Sequence, residues 1–99
     1  MAKIILERSG GFLRPPTDLT LDLDIFPANE AQRLLYLIED ADFFHLPENL
    51  GGAPIINEFL YTITIEAGDI QHRVHVNETN MPETLQLLIH ELSAITAFG

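Results

Sequence analysis

The stretch Glu58 to Asn77, EFLYTITIEAGDIQHRVHVN, decides the fold. Two alternating runs meet around Gly68-Asp69, the pattern of two strands and a tight turn. Setting Ala67 opposite Ile70 places Ile65 opposite His72, Ile63 opposite Val74 and Tyr61 opposite Val76, so the bulky residues gather on one face. The other face carries Thr62 beside His75, Thr64 beside Arg73 and Glu66 beside Gln71, a set that water or a partner can cover. Only the first face demands helices.

Helices are at hand on both sides. Downstream, Pro82 precedes Leu85, Leu88, Ile89, Leu92 and Ile95, which repeat at helical spacing and predict a helix that ends before Gly99. Upstream, Pro27 suits a first helical turn, and Ala31, Leu34, Leu35, Ile38 and Ala41 form an apolar stripe. Asp40 and Asp42 sit badly at the negative end of a helix dipole, so this helix is expected to stop near Asp42-Phe43-Phe44, before Pro47. The connector from His45 to Asn57 contains Pro47, Gly51-Gly52 and Pro54 and is long for a compact domain, which marks it as functional or mobile.

Farther upstream, Leu19-Thr20-Leu21-Asp22-Leu23-Asp24 alternates with period two, three leucines on one face. Before it, Lys3 to Arg8 reads as a strand that turns at Ser9-Gly10-Gly11 and returns from Phe12-Leu13-Arg14, interrupted by Pro15-Pro16. The order ββαββα predicts an α+β domain, a four-stranded antiparallel sheet with two helices packed on one face, spanning residues 1–99 as a single unit.

Fifteen acidic against five basic residues give a formal charge of −10, which repels phosphate backbones and anionic lipid; nucleic-acid and membrane partners are not expected. No cysteine is present for a disulfide or a thiolate zinc site. Ile4-Ile5-Leu6 is too short an apolar run for a secretion signal, and the expectation is a cytoplasmic protein.

Chemistry is hard to find. His90-Glu91 opens like a zincin helix, but position 94 is Ala where the second histidine is needed. His72 and His75, three apart on a strand, face opposite ways and cannot grip one ion; His72 reads as a partly buried, hydrogen-bonded imidazole. Asp18, Asp22 and Asp24 do not follow the calcium-loop pattern, since Pro27 and Arg33 stand where glycine and glutamate belong. No nucleophile has a hydrolase context, so neither an enzyme nor a cofactor is expected. Phe43 and Phe44 are expected to close the core over the helix end. Phe12, bracketed by Arg8 and Arg14, either folds back or anchors a partner.

Arg8-Ser9-Gly10-Gly11-Phe12, Asp42-Phe43-Phe44-x-Leu46-Pro47, Phe59-x-Tyr61-Thr62-Ile63-Thr64-Ile65-Glu66 and Met81-Pro82-x-x-Leu85, in this order and spacing, resemble the emfourin-like family. Its members are small bacterial protein inhibitors of thermolysin-like zinc metalloproteases such as protealysin, and the resemblance covers nearly the whole chain. It implies a non-enzymatic protein that blocks a metalloprotease cleft. The turn Arg8, Ser9, Gly10, Gly11 and Phe12, with Arg14, is the candidate partner-binding segment, although Gly10 and Gly11 serve a hairpin equally well. A loop covering the cleft would offer a carbonyl or carboxylate to the open position of a catalytic zinc. Either this turn or the His45 to Asn57 connector fits that role. Two other readings compete: a module binding an unrelated protein through the face of Thr62, Thr64, Arg73 and His75, and a small enzyme using His72 or His75 as a general base.

Overall fold

The computed structural model describes residues 2–10, 17–52 and 58–96. Strands β1 (Ala2–Gly10), β2 (Thr17–Asp22), β3 (Phe59–Ala67) and β4 (Ile70–Asn77) and helices α1 (Ala28–Asp40) and α2 (Glu83–Thr96) follow one another as ββαββα. All neighbours in the sheet are antiparallel, in the order β2-β1-β3-β4. The α+β architecture is the one expected from the alternation.

In the hairpin β3-β4, Ala67 pairs with Ile70, Ile65 with His72, Ile63 with Val74 and Tyr61 with Val76, the register read from the sequence. Gly68 turns it with φ +62°. Ile63, Ile65, Val74 and Val76 are buried together with Ile4 and Leu6 of β1, Leu34, Leu37 and Ile38 of α1, and Leu85, Leu88, Ile89 and Leu92 of α2. Each such side chain contributes on the order of 1.5–3 kcal/mol by leaving water. Phe43 is buried and Phe44 packs against the same core, the role expected of both.

Several local expectations are corrected. The α1 stripe is centred elsewhere: Leu37 is buried, whereas Leu35 is 45% exposed. Leu34, Leu37, Ile38 and Ala41 form a self-consistent face at i, i+3, i+4 and i+7, which leaves Leu35 about 100° from Leu34 around the axis. The strand from Leu19 runs only to Asp22, because the Asp22 carboxylate accepts the Asp24 N–H (3.0 Å) and starts a 3₁₀ turn over Leu23–Ile25. Leu23 stays buried all the same. Leu60, on the face opposite the core, is 38% exposed, so the bulky residues do not all share one side of the hairpin.

The first hairpin does not turn at Ser9 and Gly10. Both remain in β1, paired with Leu60 and Phe59 of β3, and the last β1-β2 pair is Arg8 with Thr17. Gly10 spends its positive φ of +82° on a close approach to the neighbouring strand instead. Gly11, the return from Phe12-Leu13-Arg14, Pro15-Pro16, the Pro54 to Asn57 end of the connector and the Ile95 side chain lie outside the described residues.

Candidate functional site

At one end of the sheet, β1 finishes at Gly10 and β3 begins at Phe59, its hydrogen-bonded neighbour. Residues 11–16 leave from the first and residues 53–57 arrive at the second, so the two segments singled out as candidates attach at adjacent positions. Of the six candidate binding residues, Arg8, Ser9 and Gly10 are described; Gly11, Phe12 and Arg14 are not. Strand alternation sends Arg8 and Ser9 to opposite faces.

Arg8 lies on the helix side. It pairs with Tyr61 and its guanidinium stands 4.7 Å from the centre of the Phe59 ring, a cation–π contact. Burial pushes the Tyr61 phenol above its ordinary pKa; the Arg8 hydrogen bond and charge oppose the shift, and the Glu78 charge adds to it. Ser9 is exposed on the other face. It borders a concavity of about 330 Å³ together with Asn49, Leu60, Thr62, His75 and Asn77.

The wall of that concavity comes from the connector, which folds back on the sheet. Asn49 makes a parallel bridge to His75, the His75 N–H donates to Glu48 (2.7 Å) and the Leu50 N–H donates to His75 (2.8 Å). The Gly51 N–H bonds the Asn49 side chain (3.0 Å), and the Gly52 N–H bonds the Asn77 side chain (3.1 Å). Periodicity gave no sign of this extra ladder, because it involves too few residues to establish a pattern. The connector was expected to be functional or mobile; through Gly52 it is pinned along the outer edge of β4.

The polar face of the sheet is partly self-satisfied. Thr62 and His75 share a hydrogen bond (2.9 Å), and Arg73 Nε donates to Thr64 Oγ1 (3.1 Å). Thr64 is only 1% exposed, so it is not part of an open surface as its position suggested. His72 is half-buried, with Nε2 2.7 Å from the Leu46 carbonyl and its ring edge-on to Phe43, as a structural imidazole would be. His72 and His75 both border a second groove of about 440 Å³ with Glu48, Gln71 and Arg73, but His72 Nε2 is bonded to the Leu46 carbonyl and His75 Nδ1 to Thr62 Oγ1. No cluster of three metal-ligating side chains occurs among the described residues.

The sheet is backed by helices on one face and carries a walled, mixed polar and apolar hollow at one end of the other. A model of the Emfourin family matches residues 6–93, and the chain belongs to that family, whose members are protease inhibitors and not enzymes. Among solved structures the chain is similar to emfourin (M4in) from Serratia proteamaculans, an M4 family peptidase inhibitor. The two share 19% identity over 88% of this chain and 85% of that one, with a TM-score of 0.42. No curated protein matches the chain.

Proposed function

We propose that this protein inhibits a thermolysin-like zinc metalloprotease of the M4 class by occupying its active-site cleft. The observation that carries the reading is membership of the Emfourin family across residues 6–93. The contact region in this reading is the sheet end where Ser9, Gly10 and the Asn49–Gly52 wall come together, with Gly11, Phe12 and Arg14 adjoining it in sequence. The formal charge of −10 favours association with a protease whose cleft rim is cationic. One of the segments entering the cleft supplies a carbonyl or carboxylate to the open zinc position. The site of action in this reading is the cytoplasm.

Titration of purified protein against M4 peptidases, followed by cleavage of a fluorogenic peptide, tests the proposal. Stoichiometric loss of activity without zinc removal or degradation of the inhibitor is the expected result. Full activity at micromolar excess over the cognate protease overturns it.

A further inference from the structure

Asn77 is 2% exposed and Glu58 is 7% exposed, an unusual pair to bury at the end of a hairpin. The Asn77 amide is used in both directions. Its Oδ1 accepts from the Gly52 N–H (3.1 Å) and from Asn80 Nδ2 (3.1 Å), while its Nδ2 donates to Glu58 Oε1 (3.0 Å). Glu58 Oε1 also accepts the Thr79 N–H (2.6 Å). One side chain therefore joins Gly52 and Glu58, the two described residues that bracket residues 53–57.

An apolar pair at positions 58 and 77 would close the strand ends at lower desolvation cost. It would offer nothing to the Gly52 N–H. What the polar pair adds is a fixed separation between the Asn49–Gly52 wall and the start of β3. The backbone there is fitted to it: a Cβ at Gly52 would come 2.7 Å from the Asn80 amide nitrogen, and one at Gly51 3.2 Å from Asn77 Oδ1.

We infer that Asn77 is a positioning residue for protease recognition: it holds the Asn49–Gly52 wall on the edge of β4 at a fixed distance from Glu58, so that this wall meets the protease preformed. The inference rests on the inhibitor reading and adds a residue that touches no protease itself. Holding the wall in advance removes an ordering cost from association, and its loss weakens binding without abolishing the fold.

The test is a donor–acceptor swap. N77D sets a carboxylate against that of Glu58; N77D/E58Q restores a donor facing an acceptor and returns the net charge to that of the native chain. N77A, which leaves Glu58 bonded to Thr79, replaces N77D if the latter does not fold. Ile38→Val, a mild core change, controls for general loosening. The readouts are Ki against an M4 peptidase that the native chain inhibits, and amide hydrogen exchange at Gly52 and Thr79.

N77D is expected to raise Ki by about tenfold or more with faster exchange at Gly52, and the swap to recover both, while Ile38→Val changes neither. Inhibition that survives N77D despite fast exchange at Gly52 overturns the inference alone. So does a swap that regains protection without regaining inhibition. Native protein that inhibits no M4 peptidase overturns the inhibitor reading, and the inference with it.

Discussion

Gly10 and Glu58 are in contact through the space a side chain would occupy: a Cβ built on Gly10 would overlap the Glu58 carbonyl oxygen. Gly10 also has φ +82°, where an L-residue is strained. Gly68 has φ +62° as well, but open space around its missing Cβ. Gly10→Ala therefore carries both costs and Gly68→Ala only the strain, about 1–2 kcal/mol. Thermal melts of the two variants should differ, with Gly10→Ala less stable by a further 1 kcal/mol or so, roughly the cost of a backbone shift. Equal melting temperatures would mean that β1 and β3 do not approach as closely at Gly10 as described.

The helix stripe gives a second comparison. Leu37→Ala empties a core position and should cost about 2–5 kcal/mol, while Leu35→Ala, on a half-exposed surface, should stay within about 0.5 kcal/mol. Denaturant unfolding with unchanged m-values measures both. The reverse ranking would restore the stripe read from the sequence.

That ranking shows where sequence reading stops. Leu34, Leu35, Leu37 and Ile38 offer more apolar positions than one face uses, and periodicity alone does not say which edge of the arc meets the sheet. The β3-β4 register was legible because a one-residue slip would turn Thr62, Thr64 and Arg73 toward the helices and Ile63 and Ile65 away from them. The first connection was not, since a glycine pair signals positive φ without distinguishing a turn from a close approach between strands. Of the candidate site, Ser9 and Gly10 were singled out through the family resemblance. The Asn77 network escaped because hydrogen bonds between side chains far apart in sequence leave no period, although Glu58 and Asn77 open and close the very stretch that gave the fold.

Tyr61 makes stability depend on alkaline pH. Burial raises its folded pKa above the unfolded value near 10, so the folded state holds the phenolic proton more tightly. This contribution is complete below about pH 10 and is lost as pH rises from there through the folded pKa. Tyr61→Phe should flatten that alkaline limb while leaving the neutral-pH dependence as it was. Parallel limbs for both proteins in urea melts between about pH 9 and 11 would remove Tyr61 as the cause.

Ser9 and Gln71 are both exposed, on the same face of the sheet, but near opposite ends. Their partners in β3, Leu60 and Glu66, stand about 20 Å apart at the usual rise of a strand. Ser9→Arg and Gln71→Arg change the net charge equally and differ in where they place the added charge and bulk. If the inhibitor docks by the end that holds Gly10 and the Asn49–Gly52 wall, Ser9→Arg fills the hollow beside Leu60 and raises Ki by about tenfold or more, whereas Gln71→Arg leaves it within about twofold. Comparable weakening by both would mean the partner covers the whole polar face, Thr62 and His75 included. An unchanged Ki for Ser9→Arg, with the variant folded, would move the contact away from the hollow altogether.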